Sequence, residues 1–208
     1  WPFLEAFGIK IISYADDTQL LFTFEDQAAG SMDSLKACLE TVINWMTTSN
    51  LQCNFEKTEI LLSGSSPTDG LTSCWPTSFP PPPSSASKVR NLGVKFDRDL
   101  SFKPQVAAVT SSCFACMRSI KKFHHLLLLG SRKTVVQALI ISRLDYSNVL
   151  YLGLPAALTS RLQVVQNAAA RLLLNIPHRM HISPHIQVLT GSLLRREFNL
   201  KRLSLCIG

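Results

Sequence analysis

Two short apolar runs near the start of the chain flank a pair of adjacent aspartates, in the sequence GIKIISYADDTQLLFTF. Residues 9–14 and 18–24 have the composition of β-strands, and the three residues between them are typical of a tight turn. The pattern predicts a β-hairpin that carries Asp16 and Asp17 at its tip. Adjacent carboxylates repel each other. Either a divalent cation neutralises the pair, or the pair lies in an ordinary exposed turn, where aspartate is common.

A helical period follows over residues 31–50. Ser31 is a candidate N-cap for this helix. One face of the predicted helix is apolar, because hydrophobic residues recur at helical spacing: Leu35, Leu39, Val42 and Met46. After it, the segment LQCNFEKTEILLSG predicts a turn and then a short strand at residues 59–62.

Periodicity is lost over residues 64–87, which are rich in proline and serine and contain four consecutive prolines. Such a stretch favours an extended, non-helical backbone and predicts a loop or linker. Residues 89–96 resume a strand pattern, in which Leu92, Val94 and Phe96 alternate to one side. Gly93 within this strand would allow another backbone to approach closely.

The remainder of the chain has helical periodicity. The first apolar stripe ends at Gly130 and consists of Val106, Val109, Cys113, Met117, Ile120, His124 and Leu127. The second helix, capped by Ser131, carries Val135, Leu139 and Ile140, and the third ends before Pro177 and carries Leu158, Leu162, Val165, Ala169 and Leu172. A weaker signal covers residues 193–205. The order of elements predicts an α+β fold with an all-α C-terminal region.

Composition narrows the class of protein. Hydrophobic residues make up 46% of the 208 residues, enough for a buried core. The leucine run at residues 126–129 is too short to span a bilayer, and the first residues lack the charged and then apolar pattern typical of a secretory leader, so we expect none. We therefore expect an intracellular protein, nuclear or cytoplasmic, with no membrane partner. The six cysteines show no disulfide framework, and the close pair Cys113 and Cys116 lies in a helical pattern that favours packing over metal binding.

Charge divides the chain into two parts. Residues 1–87 contain three Lys or Arg and ten Asp or Glu, whereas residues 88–208 contain eighteen and four. An acidic part followed by a basic part suits a nucleic acid held near metal-binding carboxylates, although two unrelated solvated surfaces would have the same composition. The cations that we expect to contact phosphates are Lys121, Lys122, Arg132 and Lys133, with a solvated helical rim as the alternative.

Taken in order, these segments resemble the reverse transcriptases of non-LTR (LINE-type) retrotransposons. SYADDTQLLF resembles their aromatic-x-Asp-Asp hairpin, NFEKTEILLSG and VRNLGVKFDRDLSF follow in the same order, and the later helical segments are similar to the thumb. The resemblance implies a partial palm at 1–63, a Pro/Ser-rich loop at 64–87, a primer-grip-like strand at 88–103 and a thumb-like helical region at 104–208. The implied function is that of a fragment of an RNA-directed DNA polymerase.

The resemblance also implies roles for single residues. Asp16 and Asp17 match a catalytic pair that binds Mg²⁺ or Mn²⁺ for two-metal nucleotidyl transfer from a dNTP. Lys57 matches a catalytic lysine near the triphosphate, and a solvated turn lysine is the alternative. The implied nucleic-acid partners are an RNA template and a DNA primer. Positions matching primer-contacting residues are Tyr14, Leu92 and Gly93.

Such polymerases carry a further metal-binding aspartate and a fingers region upstream of the hairpin. Because the sequence begins thirteen residues before Tyr14, we expect these parts to be absent and the polypeptide by itself not to polymerise. Two alternatives remain open. Instead of a polymerase fragment, the chain would be a non-catalytic module that binds nucleic acid through its basic helices, or an inert relic of a decayed element.

Overall fold

A computed structural model describes residues 9–23, 29–63, 87–177 and 180–182. The chain divides into two compact units, Trp1–Val89 and Arg90–Gly208. The described residues combine helices with two small two-stranded sheets, an architecture compatible with the predicted α+β class. None of their helices is long and apolar enough to cross a membrane. Most of the Pro/Ser-rich loop and the helix predicted at 193–205 lie outside the described residues.

The first unit contains the predicted hairpin, which is confirmed. Strand β1 (Lys10–Tyr14) pairs antiparallel with β2 (Asp17–Leu21), so that Lys10 lies opposite Leu21 and Tyr14 opposite Asp17. Helix α1 (Ala29–Thr48) follows. Cys38 and Val42 of α1 are buried together with Ile9, and hydrophobic residues of both strands pack against them. Burial of this shared apolar face fixes the hairpin on the helix.

Two details of the first unit differ from the prediction. Helix α1 begins at Ala29, a strong helix former, so Ser31 lies within its first turn and is not the N-cap. The strand predicted at 59–62 is also wrong, because residues 58–63 carry no strand and follow a 3₁₀ turn at Phe55–Lys57. The Asn54 side chain accepts a hydrogen bond from the Lys57 N–H at 3.3 Å, which stabilises this turn.

The second sheet replaces the continuous strand predicted at 89–96. Strands β3 (Lys88–Asn91) and β4 (Val94–Asp97) are joined by a turn at Leu92 and Gly93. Both turn residues have positive φ angles, 44° and 83°, which reverse the chain where the apolar alternation predicted that it would continue. Val94 is buried, whereas Leu92 is exposed at the tip.

The helices of the second unit enclose its core. They are α2 (Lys103–Phe123), α3 (Leu129–Val136), α4 (Ser142–Asp145) and α5 (Ala156–Leu174), with a π turn at Gln137–Ile141 and 3₁₀ turns at His124–Leu126 and Asn148–Tyr151. The core is built mainly from the predicted stripes of α2 and α5, which are confirmed from Val106 to Ile120 and from Leu158 to Leu172. The predicted continuation of the first stripe to His124 and Leu127 is wrong, because α2 ends at Phe123 and neither residue is buried. The largest fully buried side chains of the core include Val106, Ile140, Leu162 and Val165.

The start and the middle of the second predicted helix differ from the prediction. Helix α3 begins at Leu129, and the Arg132 N–H closes its first turn on the Leu128 carbonyl at 2.9 Å, so neither Gly130 nor Ser131 lies at a helix boundary. Leu139 is 41% exposed, whereas Ile140 and Ile141 are buried. The π turn adds one residue to a turn and thereby moves Leu139 off the core face.

Candidate catalytic hairpin and nucleic-acid-binding surface

The paired aspartates lie where the β1–β2 hairpin reverses. Ala15 and Asp16 form a two-residue loop, and Asp17 is the first residue of β2. Ala15 has a φ of 53°, as the favoured two-residue hairpin loops require at their first position. Asp17 lies opposite Tyr14, and directly opposite residues of an antiparallel pair share a face of the sheet. The structure therefore brings Tyr14 and Asp17 together, with Asp16 beside them at the tip.

This shared face points away from the core of the first unit. Side chains alternate between the faces of a strand, and Ile9 and Ile11 face α1. Tyr14 consequently lies on the outer face, where 68% of its surface is exposed. The fold presents an aromatic ring and a carboxylate side by side to solvent.

The two carboxylates have no structural task within the described part of the chain. Both aspartates are exposed, and no described residue makes a side-chain hydrogen bond or an ion pair with either. Asp97 provides the contrast. Its oxygens accept hydrogen bonds from the Ser101 hydroxyl at 2.6 Å and from the Phe102 N–H at 2.9 Å. Partial burial alone would raise the pKa of Asp97, but these hydrogen bonds lower it.

The chemistry of the two aspartates fits a hard divalent cation. Mg²⁺ takes oxygen ligands and is commonly bound by one or two carboxylates, with water and substrate phosphates completing its shell. Asp16 and Asp17 supply two such carboxylates from adjacent positions. In the ranges that the structure describes, they do not belong to a larger group of three or more His, Cys, Asp or Glu side chains.

Lys57, the third predicted catalytic residue, lies in a turn that follows α1. It ends the 3₁₀ turn at Phe55–Lys57, and its side chain is exposed. Over the described residues, no hydrogen bond or ion pair joins Lys57 to Asp16 or Asp17. The placement of Lys57 beside a triphosphate stays a prediction.

The β3–β4 turn carries the two other primer-contacting candidates and a residue that the sequence did not reveal. The Tyr146 hydroxyl donates a hydrogen bond to the Leu92 carbonyl. A Cβ atom added to Gly93 would lie 3.7 Å from the Tyr146 ring. Tyr146 follows α4, 54 positions beyond Leu92, so no local sequence signal could have connected them. On β4, the Lys95 N–H donates to Oε1 of the buried Gln105 at 2.9 Å.

The four basic residues lie at the junction of α2 and α3 but differ in their surroundings. Lys121 and Lys122 are exposed in the last turn of α2, and Lys133 is half-buried. Arg132 is occupied within the protein. Its Nε donates to the Leu127 carbonyl at 3.0 Å, and its Nη1 lies 2.9 Å from His124 Nε2. The same Nη1 donates to the Leu173 carbonyl of α5 at 3.4 Å, so Arg132 joins the ends of three helices.

The part of the chain that contains the hairpin is similar to a known family. Residues 2–96 match the family model described as "Reverse transcriptase (RNA-dependent DNA polymerase)". This segment is similar to a reverse transcriptase. The match covers just under half of the chain and ends within β4. No curated protein and no solved structure matches the sequence. The family match includes Asp16, Asp17 and the β3–β4 turn, but it does not extend to the helices that follow.

Proposed function

We propose that the chain is part of the reverse transcriptase of a LINE-type retrotransposon and that its β1–β2 hairpin is the metal-binding element. The observation that carries this proposal is the pair of exposed carboxylates, without a structural task in the described residues, at the tip of a hairpin. The pair lies inside the segment that is similar to a reverse transcriptase. An RNA template, a DNA primer and a dNTP would be the substrates, inside the cell, of the complete polymerase.

Each candidate residue would have its own role in nucleotidyl transfer. Asp16 and Asp17 would hold Mg²⁺ or Mn²⁺, which in two-metal nucleotidyl transfer activates the attacking hydroxyl and stabilises the leaving pyrophosphate. Tyr14, beside Asp17 on the exposed face, would pack against the primer terminus through its ring. Lys57 would stabilise the departing pyrophosphate through its positive charge.

The second unit would hold the nucleic-acid backbone. Leu92 and Gly93 at the β3–β4 turn would contact the primer strand. Lys121, Lys122 and Lys133 would bind phosphates without reading sequence, which makes binding strongly dependent on salt. Because the Arg132 guanidinium is occupied by groups of the protein, its main contribution would be to fix the helix ends that present these lysines.

Metal binding tests the hairpin directly. We expect Mn²⁺ to bind the 208-residue chain, as measured by electron paramagnetic resonance of free Mn²⁺, and to be released by Asp16→Asn or Asp17→Asn. Asp33→Asn, at an exposed aspartate of α1, is the matched control and should bind Mn²⁺ like the wild type. Equal Mn²⁺ binding by all four proteins would refute the assignment of the pair.

Primer extension separates catalysis from simple binding. Extension of a DNA primer on an RNA template, abolished by Asp16→Asn but not by Asp33→Asn, would establish polymerase activity in this chain. Salt-dependent duplex binding without extension at any Mg²⁺ or Mn²⁺ concentration would instead support a non-catalytic nucleic-acid-binding module. The second candidate is favoured by the excess of Lys and Arg over Asp and Glu in residues 88–208.

A further inference from the structure

The tip of the β3–β4 hairpin is held in an unfavourable backbone conformation. Leu92 has a φ of 44°, in the left-handed region that β-carbon sterics disfavour for leucine and most other residues, glycine and asparagine being the main exceptions. Its side chain is 38% exposed, so burial of that side chain does not explain the choice of leucine. Strained residues of this kind persist where neighbouring structure holds them, and they concentrate at functional sites.

Tyr146 supplies contacts that hold this tip. Its hydroxyl donates to the Leu92 carbonyl, and its ring lies beside the Cα of Gly93, where a Cβ would be 3.7 Å away. Tyr146 itself is 52% exposed, so its ring is not simply a core side chain. The hydroxyl and the ring together constrain both residues of the turn.

The base of the same hairpin is fixed separately by α2. Val94 is buried, and the Lys95 N–H donates to the Gln105 side chain of α2. Asp97 accepts hydrogen bonds from Ser101 and Phe102, which precede α2. The hairpin is thus anchored at its base by α2 and at its tip by Tyr146, which follows α4.

We propose that Tyr146 is a positioning residue that keeps the Leu92–Gly93 turn in the orientation in which it contacts the primer strand. This inference rests on the proposed function of the β3–β4 turn and adds to it a residue beyond the range of the family match. Because the hydroxyl bonds to a backbone carbonyl, it acts on the turn whatever side chain stands at position 92.

Tyr146→Phe removes this hydrogen bond and keeps the ring beside Gly93. Thr159→Val is the matched control, since it also removes one side-chain hydroxyl that donates to a backbone carbonyl in the second unit. The Thr159 hydroxyl donates to the Ala156 carbonyl within α5 at 3.1 Å. Hydrogen exchange of residues 88–97 should accelerate about two- to tenfold in Tyr146→Phe, the range expected for one lost hydrogen bond, and should not change in Thr159→Val. Unchanged exchange in Tyr146→Phe would overturn the positioning role.

Binding of a fluorescent DNA primer annealed to an RNA template then links the turn to function. We expect Tyr146→Phe to weaken the affinity about two- to tenfold and Thr159→Val to leave it unchanged. Leu92→Asn serves as a second test, because asparagine tolerates the left-handed region and removes the leucine side chain.

The two variants distinguish the failure of the two proposals. If Leu92→Asn and Tyr146→Phe both weaken binding, the positioning role is supported. Binding that falls in Leu92→Asn but not in Tyr146→Phe would overturn the role of Tyr146 and leave the primer-contacting turn in place. Wild-type protein that does not bind the duplex, or whose affinity is insensitive to Leu92→Asn, would overturn the primer-contacting role of the turn and with it the inference about Tyr146.

Discussion

Replacing Ala15 by glycine should stabilise the hairpin that presents the two aspartates. Ala15 has a φ of 53°, and the left-handed region costs a residue with a β-carbon about 1–2 kcal/mol. Glycine removes that cost but gains freedom in the unfolded chain, which offsets about 0.4–1 kcal/mol of the benefit. The free energy of unfolding of the first unit should therefore rise by about 0.8 kcal/mol, the middle of the roughly 0–1.6 kcal/mol that these two ranges allow.

Urea unfolding followed by the fluorescence of Trp45, which lies in α1 of the same unit, measures this effect. With a slope of about 2 kcal/mol per molar, the midpoint of the Ala15→Gly variant should rise by about 0.4 M. Ala37→Gly is the matched control. Ala37 lies within α1, where glycine costs about 1 kcal/mol relative to alanine, so its midpoint should fall by a similar amount.

Both variants delete the same methyl group, so the opposite signs of the two expected midpoint shifts depend only on the backbone conformation at the substituted position. If Ala15→Gly lowers the midpoint as Ala37→Gly does, the loop does not hold residue 15 in the left-handed region, and the description of the hairpin tip is wrong. A rise in both midpoints would show that the slope or the unfolded state, not the loop, dominates the measurement.

Three further predictions concern the second unit. Leu162→Ala should lower the free energy of unfolding of this unit by about 2–5 kcal/mol, because Leu162 is fully buried. Val164→Ala, at a 55% exposed site of the same helix, should change it by less than about 0.5 kcal/mol. Equal losses in the two variants would refute the packing of α5. Hydrogen bonds lower the pKa of Asp97, so their contribution is present above about pH 4 and is lost as the pH falls further. Asp97→Asn should cost about 0.5–1.5 kcal/mol at pH 7 and less at pH 3, and an equal cost at both pH values would contradict this reasoning. Burial raises the pKa of the Cys113 thiol to about 11. Iodoacetamide at pH 8.5 should therefore modify Cys113 far more slowly than the half-buried Cys53, and peptide mass spectrometry measures both rates. Equal rates would place Cys113 at the surface.

The sequence predicted those elements whose signal repeats over many residues. The stripe of α5 returns to one face several times between Leu158 and Leu172, and the alternation around Asp16 and Asp17 has apolar runs on both sides. Burial in the structure follows these repeats closely, because a long amphipathic pattern is stable in only one orientation on a core. The position of the paired aspartates could therefore be predicted before any coordinate was known.

Short or irregular elements could not be predicted in this way. A run such as Glu59 to Leu62 has strand composition, but a strand forms only where another backbone pairs with it, and composition does not report that partner. The positive φ of Leu92 contradicts the preference of leucine, so the alternation through residues 89–96 was misleading. The hydrogen bonds of Arg132 and Tyr146 join positions far apart in the chain, and one sequence alone carries no record of such pairs.

The π turn at Gln137–Ile141 makes the chain length between α3 and Tyr146 matter more than the identity of most residues in it. The π turn accommodates one residue more than an ordinary turn, so an α-helix formed there without a deletion would rotate everything that follows by about 100° about the helix axis. The phenol of Tyr146 would then leave the β3–β4 turn even though every other side chain remained the same. Relatives with an ordinary α-helix in this stretch should therefore be one residue shorter there, whatever their residue types.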